Sequence, residues 1–186
     1  MRVILSFVAL LYVIELLDQL SGHQLQTSGG IEPRERDGID GILFAPLLHG
    51  PWEHLVANTV PLLIFGFLLL LAGVRRWFTV TAVVWLVGGA GVWLTGPDNT
   101  IHVGASVLVF GWLCYLLLRG LFSGQPGQLA LGLLLLLVYG GVLWGVLPGQ
   151  PGISWQGHLF GAVGGGLAAW HLGRADRAGG KSLGWP

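Results

Sequence analysis

Long apolar runs with few charges dominate the chain. They cover about residues 2–20, 52–73, 77–95, 102–119, 129–147 and 155–173, with polar or Gly- and Pro-containing connections between them. A hydrocarbon core about 30 Å thick is crossed by about 20 apolar helical residues. Helices also satisfy their backbone polar groups internally, which lipid demands. The pattern therefore predicts an all-α polytopic membrane protein with six transmembrane helices. The fourth run is the shortest and holds Gly104 and Gly111, which suits the middle of a bundle.

The first run begins Met1-Arg2 like a signal sequence, but no small-x-small cleavage site is convincing near Leu20–Gly22, so a retained helix is expected. The connection 21–51 is the one long loop. It ends in the apolar stretch Ile42–Leu48, too short to span and expected at the membrane interface. The expected organisation is a membrane domain over 1–173 and a flexible cytoplasmic tail over 174–186, which is polar and glycine-rich.

Composition agrees. Hydrophobic residues make up 53% of the 186 and charged residues 10%, which excludes a soluble domain and intrinsic disorder. Nine basic residues balance nine acidic ones, so no basic surface for nucleic acid is present. Cys114 stands alone, and no Cys/His cluster has zinc spacing, so no metal is expected.

Charge placement orients the spans. Arg2, Arg75, Arg76, Arg119, Arg174, Arg177 and Lys181 fall at one set of helix ends. By the positive-inside rule these ends, and both termini, are cytoplasmic. Loops 21–51, 96–101 and 148–154 are then external, and Glu15 and Asp18 are expected to face water at the external end of the first span.

Polar groups at membrane depth are costly and mark function. His54 and Asn58 lie in the second span, Ser106 near the start of the fourth and His158 near the start of the sixth. All three spans enter from the external side, and Asn58, Ser106 and His158 are expected roughly 5 to 9 Å below the external helix ends. His54 and Asn58, four apart, share a helix face. Gly161 and Gly165 form a small-xxx-small face that brings the sixth helix, and with it His158, close to a neighbour. Ser and His in contact make a nucleophile and a general base. No acid lies at the right depth, so a dyad is expected, with His54 and Asn58 as oxyanion donors. Each residue also has a plainer use: Ser106 in packing, His158 bonded to a backbone carbonyl, His54 and Asn58 in interhelical hydrogen bonds. His102 and His171 are read as helix-end residues near water. A transporter would place polar groups at several depths, and here they cluster at one external level.

Three motifs in order, His49-x4-His54-x3-Asn58, Gly104-x-Ser106 and Gly157-His158-x-x-Gly161-x-x-x-Gly165, resemble the rhomboid family of intramembrane serine proteases. The resemblance covers about residues 3–172. It implies a six-helix rhomboid-like bundle with Ser106 as nucleophile and His158 as base. His54, Asn58 and the Ser106 backbone N–H would hold the oxyanion. His49 would support the loop-to-helix junction, Phe110 would pack on His158, and Pro148–Ser154 would form a flexible cap. It further implies transmembrane protein substrates in the lipid bilayer, no cofactor or metal, and an active site toward the external face of a bacterial plasma membrane. Two features depart from the family pattern. Val107 stands where a glycine is usual, and a β-branched residue there narrows the approach to the oxyanion site. The first loop lacks the common Trp-Arg pair and reads Gly30-Ile31-Glu32-Pro33-Arg34. The alternative is a catalytically inactive relative that binds transmembrane clients.

Overall fold

The computed structural model describes residues 1–150 and 152–179. Among the described residues the architecture is helical, and β pairing is limited to a single antiparallel bridge between Ile31 and His102. Helix α1 spans Arg2–Leu20, α2 Gln24–Gly29, α3 Gly41–Phe44, α4 Trp52–Leu70, α5 Val74–Thr95, α6 Ser106–Ser123, α7 Pro126–Tyr139 and α8 Trp155–Ala178. A 3-10 turn, Ala45–Leu47, follows α3, and a 3-10 segment, Gly140–Val146, continues α7. Five helices are long and apolar enough to cross a bilayer: α1, α4, α5, α6, and α7 with its continuation. The sixth, α8, has the length at 24 residues but is interrupted by glycines and ends in charges. The chain is a polytopic helical membrane bundle.

The centre of the bundle is α6. Its Leu108, Trp112, Leu113 and Tyr115 are fully buried, and α4, α5, α7 and α8 surround it. The contact with α8 is the most extensive, and glycine is the reason. A Cβ added at Gly161 would collide with the Val107 carbonyl, and one at Gly165 with the Gly111 carbonyl. Backbone thus meets backbone along this seam. His158, three residues before Gly161, rides on the same close approach.

Helix ends follow local chemistry. Gly124, at φ 69°, closes α6 in the left-handed conformation. Pro126 opens α7 at its first residue, where a missing N–H costs nothing. Ser154 caps α8 by accepting the Gly157 N–H at 3.3 Å.

Several boundaries differ from those read in the sequence. Hydropathy starts the fourth span at 102, but the helix begins at Ser106. Residues 101–105 before it are not helical, with His102 exchanging backbone hydrogen bonds with Ile31 at 2.9 and 3.0 Å. The fifth span is α-helical only to Tyr139, where Gly140 and Gly141 weaken the helix and a tighter 3-10 form takes over. The sixth helix continues past 173 to Ala178, because Asp176 is buried and tied to Arg76 of α5 by two hydrogen bonds of 2.5 Å. Of the expected tail, residues 180–186, with Lys181, lie outside the described residues, as does Pro151 of the connection 148–154.

Glu15 and Asp18 do not face water. Both are 1% exposed. The loop folds back over the end of α1, and Asp18 Oδ1 accepts the Leu25 and Gln26 N–H groups at 2.7 and 3.2 Å. These are orphan donors of the first turn of α2. The loop 21–51 is therefore built, not irregular. It is stitched to α5: Trp85 Nε1 donates to Ile42 O at 2.9 Å, Trp93 Nε1 donates to Glu35 O at 3.0 Å, and Arg34 pairs with Asp98 just beyond the helix.

Candidate active site

Four elements converge at one end of the bundle: the start of α6, the start of α8, the first turns of α4 and the 3-10 continuation of α7. Ser106 is the first residue of α6 and His158 the fourth of α8. Ser106 Oγ lies 2.9 Å from His158 Nε2. His158 Nδ1 lies 2.9 Å from the Gly145 carbonyl oxygen. A carbonyl only accepts, so Nδ1 carries the proton and Nε2 presents its lone pair to the serine hydroxyl. Phe110, one turn after Ser106, stacks on the imidazole, with ring centroids 3.9 Å apart and planes 11° from parallel. The ring is thus held from its face and from its far nitrogen.

Ser106 is placed by its neighbours. Gly104 adopts φ 129°, a backbone state that side chains rarely reach, just before the helix begins. A Cβ there would lie 2.8 Å from His54 Cε1 and 3.6 Å from Ser106 Oγ, so His54 and Ser106 flank the same spot. His49, from the turn before α4, is 1% exposed. Its Nε2 accepts the Ala105 backbone N–H at 3.2 Å, and its ring meets the His54 ring edge to face at 5.5 Å. Burial, and then the nearby His54, push the His49 pKa down to about 3, so it stays neutral. Asn58 is buried, and its Nδ2 has no acceptor among the described residues. At membrane depth that is a spare donor, an arrangement costly enough to need a use.

Val107 follows Ser106 in the first turn of α6. Its Cγ2 fills the space left by Gly88 of α5 and Gly161 of α8.

Two features escaped the sequence reading. One is the Gly145 carbonyl. No side chain announces it, although Gly-x-x-Pro at 145–148 is a legible clue to a free acceptor. The other is His102, which is half-buried and not a water-facing helix end. His102 Nδ1 lies 2.7 Å from Ser154 Oγ and Nε2 2.9 Å from Thr100 Oγ1. Thr100 spends its own hydroxyl proton on Pro97 O at 2.6 Å. Thr100 therefore accepts from Nε2–H, and His102 Nδ1 accepts from the Ser154 hydroxyl. Burial lowers the His102 pKa, in keeping with this neutral state. The chain of bonds ties the loop before Ser106 to the cap of the helix bearing His158. His102, Ser154, Gly157, Val107 and Ser106 line a cavity of about 30 Å³, the scale of one water molecule.

A family model, the Rhomboid domain, matches residues 37–175, most of the chain and every residue of this site. The chain belongs to the rhomboid family. This rhomboid is 52% identical over 182 residues to an uncharacterized protein of Mycobacterium tuberculosis, covering 94% of this chain and 75% of that one. An uncharacterized protein of Mycobacterium leprae is 50% identical over 182 residues, covering 94% and 72%. The Bacillus subtilis protein named "Putative rhomboid protease YdcA" is 31% identical over 121 residues, 64% of this rhomboid and 60% of that protein.

Proposed function

We propose that this rhomboid is an active serine endopeptidase that hydrolyses peptide bonds in or near the transmembrane helices of other membrane proteins. The observation that carries the reading is the Ser106 Oγ to His158 Nε2 distance of 2.9 Å, with the opposite nitrogen engaged by a carbonyl. That leaves Nε2 in the tautomer a general base requires.

In this scheme Ser106 Oγ attacks the scissile carbonyl carbon while His158 takes the hydroxyl proton. The tetrahedral oxyanion is met by Asn58 Nδ2, His54 and the Ser106 N–H. As the first residue of an 18-residue helix, Ser106 has an N–H with no intrahelical partner, and the helix dipole favours negative charge there. His158 returns the proton to the leaving amine, giving an acyl-enzyme. Water, deprotonated by His158, then releases the acid and restores the serine. The scheme needs neither metal nor cofactor. The placement of Lys and Arg supports cytoplasmic termini and a site toward the external face of a bacterial plasma membrane.

The test is cleavage of a transmembrane reporter in liposomes by the purified wild type, Ser106→Ala and His158→Ala. Cleavage by the wild type alone is expected. Equal cleavage by Ser106→Ala overturns the role of the serine. Silence of the wild type and of Val107→Gly favours an inactive relative that binds transmembrane clients.

A further inference from the structure

The carbonyl that holds His158 is free for a reason written in the chain. Over Gly140–Val146 the backbone is a 3-10 helix, in which each carbonyl pairs with the N–H three residues on. Leu147 N–H serves Trp144 O in this way at 3.1 Å. The next carbonyl, Gly145, would need the N–H of residue 148. That residue is Pro148, which has none. The Gly145 oxygen is left without its helical donor and instead accepts His158 Nδ1–H at 2.9 Å. Residue 145 must also be small. A Cβ there would stand 2.8 Å from Phe110 Cζ and 3.1 Å from His158 Nδ1.

We propose that Gly145 and Pro148 form a positioning pair: Pro148 withholds the competing N–H, and the freed Gly145 carbonyl takes the orienting place that an acid holds in a Ser-His-acid triad. The inference rests on the protease reading above. A neutral carbonyl fits this depth, because a third charged group would have to be desolvated. It locks the imidazole tautomer without that cost.

The experiment compares three chains in liposomes: wild type, Pro148→Ala, and a chain with lactic acid at 148. Lactic acid matches alanine in shape but replaces the amide N–H with an ester oxygen. Leu147 is extended at ψ 143°, as the residue before a proline must be, so Pro148→Ala both supplies an N–H and frees Leu147 to turn helical and bring that N–H to Gly145 O. Its kcat is expected to fall roughly tenfold to hundredfold, part of a general base's contribution, with KM little changed. The lactic acid chain, lacking the donor, is expected to keep wild-type kcat. A second readout is the ¹⁵N spectrum of labelled histidine. Wild-type His158 should show a single tautomer with the proton on Nδ1, and Pro148→Ala a mixture. Equal impairment of both variants means that ring rigidity matters and the N–H does not, and overturns the proposal. So does unchanged kcat in Pro148→Ala. If the wild type cleaves nothing, the protease reading fails separately, and the spectrum alone decides whether Pro148 sets the tautomer.

Discussion

His49 Nε2 accepts the backbone N–H of Ala105, the residue immediately before Ser106, at 3.2 Å. A fully buried ring ahead of α4 thereby fixes the start of α6. The bond requires an unprotonated Nε2, and burial keeps the His49 pKa at about 3 against an ordinary 6.5.

That relationship carries a pH dependence. As pH falls, the unfolded chain binds a proton at His49 before the folded chain does. The stabilising contribution is full above about pH 6.5 and is lost progressively toward pH 3. The thermal midpoint in detergent should fall as pH drops through this window. His49→Asn keeps a carbonyl acceptor for Ala105 N–H but does not titrate, so its midpoint should fall less steeply over the same range.

Asn58→Ala should lower kcat by up to about a hundredfold while leaving folding intact, since one oxyanion donor among several is removed. Asn58→Asp should be worse, because a carboxylate in place of the buried Nδ2 repels the developing charge. Reporter kinetics on the two variants measure this, and an Asn58→Asp chain as fast as wild type would remove Asn58 from the oxyanion site.

Gly165 faces the Gly111 backbone across the seam between α6 and α8. Gly165→Val should force the helices apart, destabilise the protein by roughly 1–3 kcal/mol, and pull His158 from Ser106. The midpoint and the labelling of Ser106 by a fluorophosphonate should fall together. Gly166→Ala, next along the helix and in ordinary contact with Leu118 only, serves as the control and should change neither.

At the other end of the bundle, Asp176 joins α8 to Arg76 of α5, with Arg119 of α6 at 3.9 Å. Asp176→Asn leaves two largely buried guanidinium groups without their counter-charge. The midpoint should drop by the equivalent of about 3 kcal/mol. Among the molecules that remain folded, KM and kcat should be close to wild type, because the change is at the end of α8 opposite Ser106 and His158.

Much of this was legible in the chain. Hydropathy finds the five most apolar spans because lipid leaves the backbone few alternatives, while α8 is marked by its glycines and His158 more than by its hydropathy. Gly161 and Gly165 after His158 mark the close seam with α6, because helical periodicity makes sequence distance a spatial one, and that seam brings His158 to Ser106 and Phe110. The rest came from contacts between segments far apart in the chain. Hydropathy cannot tell a buried acid from a solvated one: Glu15 and Asp18 are both buried, and the start of α2 bonds to Asp18 from across the turn. Nor does it set a helix end held by tertiary charge, as at Asp176.

The identity of Ser106 and His158 as partners follows from residue type and order along three helices. The state of that pair does not. The tautomer of His158 depends on a backbone oxygen thirteen residues away, and the seat of Ser106 on a ring that binds Ala105 from across the bundle. Side-chain chemistry is written residue by residue. The direction of a lone pair is set by whichever group packing brings to the opposite nitrogen.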